Sequence, residues 1–350
     1  MQAVVLVGGE GTRLRPLTYT MPKPLLPIGN IAFLERQLAW LGRHGVDDVV
    51  LSLGYLPDAF VEHFPDGKCG RVRVRYAVEK EPLGTAGGIR YAADQAGIDE
   101  CFVVCNGDVL TELDLTALVR FHDERGADAT IHLARVPDPS AFGVVPTADD
   151  GEVKAFVEKP APGRAPTDWI NAGTYVLEPS VLDDIPAGRA VSIERETFPG
   201  LLARDGRLFA LPSPAYWHDI GTPAKYLEAN ADRLERSGGA SLLGPGAVVA
   251  AGAAVDGSVL GAGAVVEAGA KVLRSVLFEG ARVAAGAEVT DSVLAAGAVV
   301  EAGAAISGVT IVGPGAVVPP GERLAGARVE AERRGHNGPQ GSLQERAGGD

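Results

Sequence analysis

A chain of 350 residues has room for two domains of ordinary size, and 46% apolar with 22% charged residues is the composition of a globular protein, not a disordered one. The net charge of −13 argues against a nucleic-acid partner, which needs a basic stripe to neutralise phosphates. It leaves room for a small phosphorylated ligand held by a few well-placed lysines and arginines.

The chain opens with MQAVVLVGG, where residues 3–7 read as a short buried strand. No basic segment precedes that run and no apolar stretch approaches a membrane span, so a cytoplasmic location without a membrane partner is expected. From Ile31 onward, Leu34, Leu38 and Leu41 keep helical spacing up to Gly45, and VVLSL (49–53) is a second strand. Val72, Val74 and Tyr76 then alternate with Arg71, Arg73 and Arg75, and FVVC (102–105) is another fully buried run. Cys69, Cys101 and Cys105 have no metal-like partner cysteines, and the last two read as strand fillers in a reducing compartment. Alternating strand and helix signals over residues 1–235 imply an α/β domain with a largely parallel sheet, its ligands beyond the carboxyl ends of the strands.

After a linker, RSGGAS (236–241), the style changes. Leu243, Leu260, Leu277 and Leu294 recur every 17 residues, and within each set an aliphatic residue returns every six, as at Leu260, Val266 and Val272. Glycine follows most of these three places later; Ser258, Ser275 and Ser292 take that place at the third corner. Six-residue rungs with one inward aliphatic and one permissive turn residue predict a triangular parallel β-helix of about five coils over 242–324. Residues 325–350 read as a disordered tail.

The first strand runs into GGEGTRLRPLT (8–18) and PKPLLP (22–27). Gly8, Gly9 and Gly11 with Arg13 and Lys23 offer backbone N–H groups and positive charge to phosphate oxygens. No GxxxxGK[ST] is present, and Leu14 stands where a dinucleotide fingerprint needs its third glycine. Asp108 follows the FVVC strand at the position where ligand clefts form, and Asp219 lies in a Trp-His-Asp-Ile-Gly turn.

The 8–27 segment closely resembles the signature of the sugar-1-phosphate nucleotidyltransferases. The likeness continues in order through EPLGTAGG (81–88), NGDVL (106–110), FGVV (142–145), VEKP (157–160), NAGTYV (171–176) and WHDIGTP (217–223). It implies a Rossmann-like domain with a mostly parallel sheet, followed by a left-handed parallel β-helix. It also implies transfer of a nucleotidyl group from a nucleoside triphosphate to a sugar 1-phosphate, with magnesium and release of pyrophosphate. The resemblance assigns Arg13, Lys23 and Lys159 to catalysis. Leu6, Gly8, Gly9, Gly11, Thr12, Leu83, Gly84, Thr85 and Gly107 go with Arg13 and Lys23 to the nucleotide. Gly143, leaving room for the sugar ring, goes with Glu158, Lys159, Asn171 and Thr174 to the sugar phosphate, and Asp108 and Asp219 to the metal. Two carboxylates that leave the other positions to water and phosphate oxygens suit a hard octahedral ion. On a strand, Glu158 and Lys159 are expected to point to opposite faces.

LGTAGG and the appended solenoid look most like the mannose-1-phosphate guanylyltransferase branch, although Gly88 stands where many of those enzymes have proline. Thymidylyl- and uridylyl-transferring glucose-1-phosphate enzymes remain the alternative, and an inactive regulatory homologue is the reading from another class. Acyltransferases of the six-residue β-helix type use a histidine base, and His44, His63, His122, His132, His218 and His336 all lie outside 243–324. The solenoid is therefore expected to be structural, regulatory or oligomerising. A homo-oligomer is expected, and a chain ending near Gly238 should keep nucleotidyl transfer.

Overall fold

The computed structural model describes residues 1–204 and 206–331. The strand Gln2–Leu6 lies at the centre of the main sheet, parallel to Asp48–Leu53 on one side and to Phe102–Asn106 on the other. Val72–Val78 extends the parallel half. The other half turns antiparallel: Trp169–Leu177 runs against Phe102–Asn106 and also against Ala129–Arg135. The sheet is thus mixed, where the sequence suggested mostly parallel pairing. A parallel return needs a crossover of a dozen or more residues, usually helical. Between Ala129–Arg135 and Trp169–Leu177 there is only a 3-10 turn, Pro139–Ala141, and two two-residue strands, so the chain comes back antiparallel.

Both faces of the sheet are covered, which is why its central strands read as unbroken apolar runs. Val4, Val50 and Val104 face a core closed by Ala86, Ile89 and Ala93 of the helix Gly84–Ala96. Ala3, Val5, Leu51 and Val103 face the opposite way, against Leu34, Leu38 and Leu41 of Phe33–Arg43. Among the described residues no helix is long and apolar enough to cross a membrane.

The helix Pro223–Glu235 closes this domain, and a parallel β-helix of three strand stacks begins at Leu242–Leu243. Identical positions stack in register, Leu260 on Leu277 and Val266 on Val283, so each aliphatic rung buries the next. One stack has six strands and the others five. The sixth strand, Arg328–Val329, pairs with Ile311–Val312, so order continues past the limit of 324 read from the rungs. Val329, five places after Leu324, supplies the next aliphatic rung, paired with Val312 and packed against the solenoid core, so the repeat itself carries the coil onward. The remainder of the expected tail, 332–350, lies outside the described residues.

The third corner also differs from the sequence reading. Its left-handed residues are Gly257 (φ 54°), Arg274 (φ 45°) and Asp291 (φ 46°), one place before the serines. Arg274 and Asp291 offset the strain of a side chain there by stacking as a two-point ion pair, both contacts 2.7 Å. The serines instead form a buried ladder: the amides of Ser275 and Ser292 donate to Ser258 Oγ and Ser275 Oγ at 3.0 and 3.1 Å.

The solenoid is not a free appendage. Val259, Val276, Phe278, Val293, Ala295 and Ile311 share one apolar cluster with Leu14, Leu17, Leu26, Phe33, Ile220 and Tyr226 of the first domain. Asn30 Nδ2 donates to Leu260 O at 2.8 Å across the same junction.

Candidate active site

The glycine segment leaves the carboxyl end of Gln2–Leu6 and lines a cavity of about 610 Å3 together with Lys23, Tyr55, the 79–85 stretch and Asn106–Asp108. Its shape depends on missing side chains. A Cβ on Gly107 would lie 2.3 Å from Val7 Cγ1 and 2.6 Å from Leu6 O, so only glycine lets the Asp108 strand approach the phosphate loop. Gly11 sits at φ 61° and opens the 3-10 turn Thr12–Leu14, which carries Arg13. Leu6, Gly8, Gly9, Gly11, Thr12, Arg13, Lys23, Gly84, Thr85 and Gly107 all line this one cavity.

At one end of it, charges converge. Lys23 is only 7% exposed, and its Nζ lies 2.8 Å from Asp108 Oδ2. Asp219 stands across from Val109 in the pairing of Trp217–Asp219 with Val109–Thr111, and it ion-pairs with Lys225. Arg13 reaches the same place: a Cβ on Gly221 would be 2.8 Å from Asp219 Oδ2 and 3.1 Å from Arg13 Nη2. Two carboxylates, Asp108 in the turn just before Val109–Thr111 and Asp219 on the strand paired with it, each held by an ammonium, are a donor set that fits a hard divalent cation. His218 Nε2 contacts Lys225 O at 2.8 Å, so this imidazole braces the helix start and is not poised as a base.

The sugar-phosphate assignments fare unevenly. The space beside Gly143 is taken up by Phe156 and Glu158, whose atoms would lie 2.7–2.9 Å from a Cβ, so a side chain here would collide with both. Asn171 makes two bonds inside the protein: Nδ2 donates to Tyr175 OH at 2.8 Å and Oδ1 accepts from Gly173 N at 3.0 Å. Thr174 is buried opposite Cys105 in the sheet, its hydroxyl bonded to that thiol. Thr174 is closed off in this arrangement, whereas half-buried Asn171 keeps the second N–H of its amide. Lys159 adopts φ 49°, which breaks strand alternation, and its Nζ comes within 3.5 Å of Glu158 Oε1 instead of facing away. Both stay solvent-accessible, Lys159 the more so, and among the described residues neither is bonded to Asp108 or Asp219.

Glu79 was not singled out from the sequence, yet it organises the 80–84 turn. Its Oε2 accepts from Leu83 N at 2.8 Å and its Oε1 accepts from Ser52 Oγ at 2.7 Å. A Cβ on Gly88 would meet Glu79 Oε1 at 2.7 Å, which accounts for glycine at that place. The signal was the one that marked Asp108, a carboxylate just past the end of a buried strand. Lys225 was also missed, because a lysine in the first turn of an amphipathic helix looks like any solvated charge. Thr85 Oγ1 donates to Glu194 Oε2 and accepts from Ile193 N, both at 2.8 Å, so its hydroxyl anchors the Gly84–Ala96 helix.

Comparison with known proteins matches residues 2–236 to the nucleotidyl transferase family, and residues 222–311 and 246–340 to the GlmU-like C-terminal hexapeptide family. With three parallel strand stacks, the second part is a left-handed parallel β-helix. A mannose-1-phosphate guanylyltransferase of Mycobacterium tuberculosis is 44% identical over 73% of this chain and 74% of its own length. Mannose-1-phosphate guanylyltransferase 1 of Arabidopsis thaliana is 42% identical over 65% of this chain, and the match spans 63% of that relative. Among solved structures, HddC from Yersinia pseudotuberculosis, also seen complexed with GMP-PN, is 32% identical with a TM-score of 0.58, covering 66% of this chain and 99% of that one. A putative glucose-1-phosphate thymidylyltransferase from Bacillus anthracis is 26% identical with a TM-score of 0.59, covering 66% and 94%. On its matched domain and on the geometry of the glycine loop, this chain belongs to the nucleotidyl transferase family.

Proposed function

We propose that the protein transfers GMP from GTP to mannose 1-phosphate, forming GDP-mannose and pyrophosphate. The observation that carries the reaction class is Arg13, Lys23 and Asp108 lining a glycine-walled cavity, with Asp219 beside Arg13 at Gly221. The likeness to guanylyltransferases at 40–44% identity supports the choice of substrates.

A sugar 1-phosphate is largely dianionic at neutral pH, its second pKa being about 6. One of its oxygens forms the new bond to the α-phosphorus as the bond to the β-bridging oxygen breaks, and that oxygen leaves with pyrophosphate. No proton need be removed from the nucleophile, in keeping with His218 being tied to Lys225 O. The loop amides and Arg13 hold the departing phosphates, Lys23 stands at the α-phosphate end, and exposed Lys159 receives the sugar phosphate. Asp108 and Asp219 would hold magnesium, which when bound offsets charge on the phosphate oxygens. Carbonyls of the 80–84 turn, fixed by Glu79, accept from the amine and ring N–H of guanine, two donors that adenine lacks in that arrangement. Losing such bonds costs about 1–3 kcal/mol each.

With Cys69, Cys101 and Cys105 free, we place the protein in a reducing compartment, the cytoplasm. A panel of nucleoside triphosphates against sugar 1-phosphates, read as kcat/KM from pyrophosphate release, tests the whole reading. GTP with mannose 1-phosphate should lead. A preference for dTTP or UTP with glucose 1-phosphate overturns the substrates and keeps the reaction, and no release with any pair makes the chain a binding homologue.

A further inference from the structure

Among the described residues, one cluster of ligating side chains lies outside this site. Cys101 immediately precedes the strand Phe102–Asn106, His122 lies on the helix Leu115–Arg125, and Glu178 follows the strand Trp169–Leu177. The antiparallel register sets Leu177 against Phe102, which brings Glu178 beside Cys101. One ligand atom from each of the three lies within 4.8 Å of the other two, and His122 Nε2 is 3.2 Å from Glu178 Oε1. We infer that Cys101, His122 and Glu178 form a second metal site, for a zinc-like divalent ion, distinct from the two catalytic-domain aspartates.

The donor set is one thiolate, one imidazole and one carboxylate, which suits zinc and not magnesium, an ion that takes oxygen ligands alone. Tetrahedral zinc with bonds of about 2.0–2.3 Å keeps its ligands roughly 3.3–3.7 Å apart, so the cluster needs to close by about an ångström at most. His122 is 1% exposed and its ring is held by Thr130 Oγ1, 2.8 Å from Nδ1. That hydroxyl serves either tautomer. Without an ion it donates to Nδ1 while Nε2–H donates to Glu178; with one it accepts from Nδ1–H, and the Nε2 lone pair is left for the metal. Cys101 and Glu178 are part-exposed, which leaves the fourth corner to water. Burial first, and then the nearby Glu178 and Asp123 carboxylates, push the Cys101 thiol up to about 12, so the thiol carries its proton until an ion displaces it. Binding replaces the thiol proton with the ion, releasing one proton to solvent. The ion would tie together a helix and two strands at the amino end of the strand whose other end leads to Asp108. Seven residues of extended chain are about 23 Å, so its effect is on stability and not on turnover.

Cobalt(II) added to the purified full-length protein is the probe. A thiolate-to-cobalt absorption band saturating at one equivalent is expected, displaced by zinc and kept by Asp108→Asn. Cys101→Ser should abolish the band, and Glu178→Gln, which preserves shape should the first variant fold poorly, should weaken binding at least tenfold. Zinc should raise the Tm of the wild type and not of Cys101→Ser. No band in the wild type, or an equal band in Cys101→Ser, overturns the site.

Discussion

Lys23 and Asp108 show what each charge does for the other. The ammonium is buried and the carboxylate half-exposed, so the pair keeps a cation inside the protein that would otherwise be uncompensated. Asp108→Asn and Asp219→Asn should each lower turnover by about a hundredfold or more, the scale of one lost preorganised charge contact. Stability should fall too in Asp108→Asn, by about 1–3 kcal/mol, because Lys23 loses its counter-charge. Magnesium titrations of turnover with urea unfolding check both parts; unchanged turnover at limiting magnesium would remove that aspartate from the site. Elsewhere His132 is fully buried with neither ring nitrogen bonded, and burial lowers its pKa to about 4. Its folded pKa lies below the unfolded value of about 6.5, so the stability this neutral ring supports is full above pH ~6.5. It is lost as pH falls through that range and the loss levels off below about 4. The full difference is about 3 kcal/mol. His132→Leu should therefore flatten the decline in urea midpoint between pH 7 and pH 4, and an unchanged decline assigns the acid sensitivity to other groups.

Among the elements, the solenoid changes meaning most. Sequence reading made it an independent module, and a chain cut near Gly238 was expected to keep nucleotidyl transfer. In the structure Leu14 and Leu17, one and four residues beyond Arg13, are buried against Val293 and Ile311, and Gly313 lies where a Cβ would be 3.0 Å from Pro16. The solenoid packs against residues 14–17, the segment directly after Arg13. Removing it exposes that apolar cluster and frees the Arg13 turn, so the cut chain should lose most activity and tend to aggregate. Phe278→Ala is the milder probe. Phe278 is buried with its ring 6.3 Å from Tyr226, and its loss should cost about 3–5 kcal/mol at the junction. If the cut chain turns over normally and stays soluble, the docking has no bearing on the loop.

For the molecule as a whole, assembly stands as our proposal. The first coil leaves Leu243 53% and Val248 52% exposed, with its strands paired on one side only, features that favour a second copy over open water. Light scattering should give a mass above the 36.2 kDa of one chain, and a monomer ends the idea. The sequence by itself determined what is written locally. A six-residue rung, a glycine turn and a buried apolar run each fix backbone shape over a few residues, so the repeat, the phosphate loop and the placing of Asp108 at a strand end were legible. Tertiary structure alone decided which internal partners these side chains take. Asn171 turns to Tyr175, Thr174 faces Cys105, Phe156 fills the space at Gly143, and Lys23 and Lys225 take up the two aspartates. It also decided that one solenoid face lies on the first domain, because Leu17 and Ile311 join one buried cluster only after two separate apolar faces leave water together. A motif names the residue types present, but hydrogen-bond partners come from distant chain segments, and no spacing along the sequence encodes them.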